Sequence, residues 1–157
     1  MILQLILFCG LFTFMVKLGV GNIPLNGLFF YPKPVQKKVY ELGLIERETV
    51  SKKRTRFMIA FFAVMAAVLI LFICVWNGIH AFRPAYFQAL LFLEVMNWYD
   101  GIFIDRLWVG HSPFWVIPGT ESVPFVQTWP QVIRKRIILS IIWLAGAALV
   151  AGIVTLL

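Results

Sequence analysis

Residues Glu94 to Arg106 read E-V-M-N-W-Y-D-G-I-F-I-D-R, a stretch that sets Glu94, Asn97, Asp100 and Asp105 inside an otherwise apolar segment. Each ionisable group placed in hydrocarbon costs roughly 2.5–3.5 kcal/mol on insertion scales, so such groups are seldom left there without a partner or a task. The stretch therefore has two consequences. It identifies a segment that must be paid attention to as a membrane crossing, and it marks the functional candidate within that crossing.

The surrounding composition supports the membrane reading. Of 157 residues 61% are hydrophobic and only 13% charged, about half the ~25% of an average soluble domain. A crossing of a ~30 Å hydrocarbon core uses about 20 helical residues, so the chain has room for about four and forms a single domain, 1–157. Net charge is +7, but the charges lie between apolar segments. They fit topology signals and contact with anionic lipid headgroups, with no nucleic-acid partner. Cys9 and Cys74 fall within apolar segments, form no C-x-x-C pair and are read as packing residues.

Taken in order, residues 1–20 form the first apolar helix; its first charge, Lys17, sits at the far end, unlike a secretory signal. Residues 21–34 are punctuated by Gly, Asn and Pro, with Phe29, Phe30 and Tyr31 at the headgroup boundary. Val35, Val39, Leu42 and Ile45 then recur at helical spacing among charged neighbours, which predicts a short interfacial amphipathic helix over about 34–46. Lys33 to Arg56 carries eight Lys or Arg against three Glu. This basic loop is expected to be cytoplasmic, and its Lys52, Lys53, Arg54 and Arg56 are candidate contacts for an anionic headgroup.

The second helix is predicted over 57–78, the third over 85–108 with Pro84 at its start, and the last over 137–157. Between the last two, residues 110–133 contain four prolines before Gln131 and several aromatics, but little charge. Four prolines exclude a continuous helix, and the segment is expected to fold as a re-entrant or lid-like loop, with Pro118-Gly119 at a type II turn. The predicted fold is an all-α integral membrane protein: a four-transmembrane-helix bundle with that interfacial helix and lid. Basic loops 33–56 and 106–136 face the cytoplasm, both termini lie outside, and the membrane is a cytoplasmic-type inner membrane.

On an α-helix Asn97, Gly101 and Asp105 share the face of Glu94, whereas Asp100 points away from that face, about a third of a turn from Glu94. Glu94 and Asp105 are about 16 Å apart along the axis, too far to act as a pair. The leading expectation is an intramembrane enzyme on a lipid-like substrate, with Glu94, Asp100 and His111 as acid/base groups, because burial in an apolar bundle moves a carboxyl towards neutrality. Asn97, Tyr99, Asp105, Arg106, Trp115 and Glu121 would hold the substrate. Asp100, Asp105, His111 and Glu121 offer oxygen and nitrogen ligands for a divalent cation as a candidate cofactor. Two alternatives are a homo-oligomeric proton or cation transporter lined by the carboxylates, and a membrane scaffold or accessory subunit in which polar groups bind helix to helix.

Overall fold

The computed structural model describes residues 1–157 and is all-helical, with 79% of the chain in helix and no strands. Helix α1 spans Ile2–Val20. A 3-10 segment, Pro24–Phe30, leads into α2, Lys33–Glu41. Helix α3 spans Arg47–Leu71 and continues through a π-wound turn, Phe72–Trp76. Helix α4 spans Phe82–Tyr99, continues π-wound over Asp100–Trp108 and ends with Val109–His111. After a short 3-10 turn, Pro113–Trp115, helix α5 spans Trp129–Val154. Three helices, α1, α3 with its π turn, and α5, are long and apolar enough to cross a membrane. Helix α4, which carries Arg83, Gln88, Glu94 and Asn97 in its first part, is not among them.

Several boundaries differ from those expected. The amphipathic helix closes at Glu41 instead of 46, because Leu44 N–H reaches Val39 O at 3.3 Å and Gly43 N–H reaches Tyr40 O at 3.1 Å, a Schellman termination. The basic stretch from Arg47 is no loop; it forms the first turns of α3. The last helix starts at Trp129 instead of 137, set by a capping box in which Thr128 and Gln131 satisfy each other's backbone N–H groups. Arg134, Lys135 and Arg136 therefore lie on α5 and are not a flanking loop. The loop before α5 is correspondingly shorter. Its Pro118-Gly119 turn forms as expected, with Gly119 at φ +86° and Thr120 N–H on Ile117 O at 3.0 Å.

Helix α4 packs most extensively on α5 and also on α1, while α1 contacts α3. Phe8, Phe12, Phe61, Leu69, Ala89, Phe92, Ala147 and Ala151 belong to one buried apolar cluster between these helices. Small residues on α4 and α5 allow their backbones to approach. A second cluster joins Val20, Leu28, Tyr31, Val35, Val39, Val50, Trp115 and Ile117, so α2 and the proline-rich loop share one core at the basic end of the protein. Tyr31 fixes that junction: its hydroxyl donates to Trp115 O at 2.9 Å, and burial pushes the phenol above the ordinary tyrosine range. Many apolar residues remain outward-facing, including Ile2, Ile59, Val75, Ile141 and Leu149, as expected of helices that meet lipid.

Candidate functional site

The α4–α5 seam carries a ladder of polar groups. At its centre is Arg136, only 1% exposed. Its Nη1 donates to Asp100 Oδ2 at 2.6 Å and to Asn97 O at 3.0 Å, and its Nη2 donates to Asp105 Oδ2 at 2.5 Å. Asn97 returns the contact, its Nδ2 donating to Arg136 O at 3.0 Å and to Ser140 Oγ at 3.2 Å. Ser140 Oγ in turn donates to Glu94 Oε2 at 2.6 Å. At the other end Lys135 Nζ reaches Asp105 Oδ2 at 3.1 Å and Gln127 Nε2 reaches it at 3.5 Å.

Helix winding makes this arrangement. With α-helical winding Asp100 and Asp105 would point in different directions, the expectation drawn from the sequence. In the π-wound segment Asp100–Trp108, i→i+5 hydrogen bonding places residues five apart nearly over one another. Both carboxylates thus meet the same guanidinium, and the expectation that Asp100 points away from the shared face is corrected. Gly101 provides the space: a Cβ there would lie 2.8 Å from Arg136 Nε and 3.1 Å from Val132 Cγ1. Arginine remains charged at any physiological pH and its planar fork suits two carboxylates.

This ladder closes one end of a large cleft. Helices α1, α3, α4 and α5 all contribute to its lining, and its volume is about 870 Å³. Most of its lining is apolar, from Phe57, Phe61 and Met65 on α3 to Leu139, Leu149 and Ile153 on α5. Its polar lining consists chiefly of Arg54, Asn97, Asp100, Asp105, Gln127, Lys135 and Arg136. The protein bonds of the two aspartates all fall on Oδ2. Each therefore keeps Oδ1 free of protein partners.

The remaining expected site residues divide. Trp115 is 2% exposed, lines the cleft and has an Nε1–H without a partner. Arg54 also lines the cleft, but Lys52 pairs with Glu48 at 2.7 Å and Lys53 bonds Asn26 Oδ1 at 2.7 Å. Arg56 is exposed and outside the lining. Glu94 is bound to Ser140 and does not line the cleft. Tyr99 shares a 2.8 Å hydrogen bond with Thr13 on α1 and is likewise outside it. Arg106 donates to Gln127 O at 2.7 Å and lies 4.9 Å over the Trp129 ring. His111 is exposed, its Nδ1 3.0 Å from Leu107 O, with no bond to Asp100. Glu121 accepts from Gly119 N–H at 2.9 Å, and backbone N–H groups, its own first and then that of Gly119, hold its carboxyl below the usual range. No three His, Cys, Asp or Glu side chains come together to hold a metal ion, so Asp100, Asp105, His111 and Glu121 do not form the expected divalent-cation set.

Arg136, Lys135, Ser140 and Gln127 were not anticipated as site residues. The signal for them was Thr128-Trp129-Pro130-Gln131, a helix-start pattern that moves Arg136 from a flanking loop onto the seam. No family model, no curated protein and no solved structure matches this chain.

Proposed function

We propose that this chain is a multi-pass protein of an inner, cytoplasmic-type membrane that holds one lipid-like molecule in the α3–α5 cleft and acts on it by acid/base chemistry. In this reading α4 is the fourth crossing, antiparallel to α3, and the proline-rich segment between α4 and α5 is a lid on the cytoplasmic side. Both termini lie outside. The fourth crossing is supported by the close packing of α4 on α5 and α1 and by the pairing of its charges with those of α5. Intramembrane charges are tolerated when they face protein and find partners.

The observation that carries the functional reading is the cleft itself: apolar along the helices and ending at two aspartates with an unbonded carboxylate oxygen each. A lipid-like molecule matches that division, its chain against Phe and Leu and its head against the ions. Asp100 is the less encumbered of the two: it accepts from Arg136 alone, whereas Asp105 accepts from Arg136, Lys135 and Gln127. Asp100 Oδ1 would take a proton from a hydroxyl of the bound head, with Arg136 fixing the carboxylate's orientation.

The test is native mass spectrometry of protein extracted gently from its membrane. A co-purifying amphiphile that is lost in Ala66→Trp, which fills the cleft wall, supports the reading; wild-type protein without one contradicts it. A structural reading also has an observation in its favour, since the seam ions satisfy one another. Under it, Asp100→Asn changes stability and leaves ligand and activity untouched.

A further inference from the structure

The α4–α5 seam has an outer side as well as a cleft side, and its polar ladder ends on the outer one. Leu93, Met96 and Asn97 line the cleft, but Glu94 does not. Asn97 bonds Ser140 and Ser140 bonds Glu94, so the hydrogen-bond chain passes between the two helices and emerges at Glu94. Glu94 is half-buried there. Its Oε2 accepts from Ser140, whereas Oε1 has no protein partner and is open at the surface.

The surface around that oxygen is apolar. Phe87, Leu91 and Trp98 of α4 are exposed, as are Ile137 and Leu144 of α5. Phe87, Leu91, Glu94 and Trp98 follow one another at spacings of four, three and four, the repeat of a helix-pairing seam. Glu94 stands about 18 Å along α4 from Phe82, near the middle of a ~30 Å hydrocarbon core that α4 crosses. Carboxyls at such a depth face protein or water and pair with other polar groups, because hydrocarbon offers the open oxygen neither donor nor acceptor. This chain has no free cation beside it. Arg136 and Lys135 are held by Asp100 and Asp105, and Arg83 and Arg106 lie towards opposite ends of α4 and its continuation.

A second copy supplies the missing group at the right level. Two copies inserted in the same direction are related by a two-fold axis along the membrane normal, and a residue beside that axis meets its own equivalent at the same depth. Two facing carboxyls that share a proton close an O–H···O bond, since like charges so near do not both ionise. Resting on the reading of α4 as a fourth crossing, and independent of what the cleft holds, we propose that the outer α4–α5 face is the contact surface of a parallel homodimer. Glu94 of the two copies is hydrogen-bonded across the axis, and Phe87, Leu91 and Trp98 pack around it.

The test uses the full-length protein in phosphatidylcholine vesicles, with Cys9→Ala and Cys74→Ala as background and His80→Cys or His111→Cys as the labelled thiol. An impermeant maleimide should reach these two positions from opposite faces of the membrane; the same face for both removes the fourth crossing and this inference with it. Energy transfer between donor- and acceptor-labelled copies is then followed as the protein is diluted with lipid. Copies with Glu94 are expected to pair, and Glu94→Leu to pair about tenfold more weakly. Glu94→Gln keeps hydrogen bonding and should stay closer to the parent. Glu94→Lys should fail to pair with itself and pair with Glu94 copies, because opposite charges then meet at one depth. With Glu94 intact, Leu91→Cys should give a disulfide-linked dimer on oxidation, and Ile59→Cys, exposed on α3, should not. Monomers at every dilution, unchanged pairing in Glu94→Leu, or equal cross-linking at positions 91 and 59 overturns the proposal. If positions 80 and 111 still label from opposite faces, the crossing and the cleft reading stand without it.

Discussion

Within α4 the segment Phe82–Tyr99 is α-wound and buries Ala85, Ala89, Phe92 and Leu93, whereas Asp100–Trp108 is π-wound and buries only Gly101 and Ile104. The two halves also treat polar groups differently. In the first, Gln88 is 6% exposed and neither of its side-chain polar atoms has a partner. In the second, Asp100 and Asp105 converge on one arginine. The comparison shows that polarity alone does not make a site in this protein: from the α-wound half Glu94 and Asn97 reach α5 and Gln88 does not, and the π winding beyond them brings Asp105 to the same arginine as Asp100.

The largest effect is expected where that convergence is removed. Arg136→Met leaves two carboxylates facing one another without their shared cation, and such a loss costs roughly 3–5 kcal/mol when the partner is buried. Thermal unfolding in detergent should show it, and an unchanged midpoint would mean that the seam ions are not coupled. Gly101→Ala attacks the same point sterically. The added methyl meets Arg136 Nε at 2.8 Å, and the guanidinium cannot swing aside without leaving its aspartates, so a loss of about 1–3 kcal/mol follows. A neutral result would show that the two helices have room to spare.

Smaller effects sharpen the contrast. Asn97→Leu removes the side-chain bonds with Arg136 and Ser140 while the residue 97 carbonyl still accepts from Arg136 Nη1, and is expected to cost about 1 kcal/mol. At the basic end Tyr31→Phe removes the bond to Trp115 O, again about 1 kcal/mol, and carries a pH signature. Burial raises the Tyr31 phenol, so its contribution is complete below the unfolded value near ~10 and declines as pH rises from there towards the folded value. The alkaline decline should be shallower in Tyr31→Phe; an identical decline would remove Tyr31 as its source. Ser140→Ala removes the links to Glu94 and to Asn97 Nδ2 but leaves Asn97 bonded to Arg136, and should be the mildest change, about 0.6 kcal/mol.

Much of the helical plan was legible because hydropathy and charge are properties of segments. The apolar runs of α1, α3 and α5 are long and uninterrupted, and the amphipathic spacing of Val35 and Val39 placed α2 against a surface. The cluster of Glu94, Asn97, Asp100 and Asp105 was visible as polar residues out of place. Their geometry was not, because an α-helical projection sends Asp100 and Asp105 apart and composition does not signal a π-wound turn. The partner was missed for another reason: basic residues before an apolar run resemble a topology signal, and only the Thr128–Gln131 capping box places Arg136 one turn from Val132 on the inner face of α5. His111 and Glu121 lie outside the cleft lining, where near neighbours in the chain, Leu107 O and Gly119 N–H, bond them locally. Sequence adjacency to the acidic set did not bring them into the cleft.

The most direct test of the account is a mutant cycle across the seam, combining Arg136→Met with Asp100→Asn and Asp105→Asn and reading unfolding free energy in the same micelles. If π winding brings both carboxylates to Arg136, the combined variant should be more stable than the sum of the separate losses predicts, with a coupling of at least ~1 kcal/mol. Losses that add to within ~0.3–0.5 kcal/mol would mean that these residues act independently, and the polar end of the cleft would not be the ion cluster described.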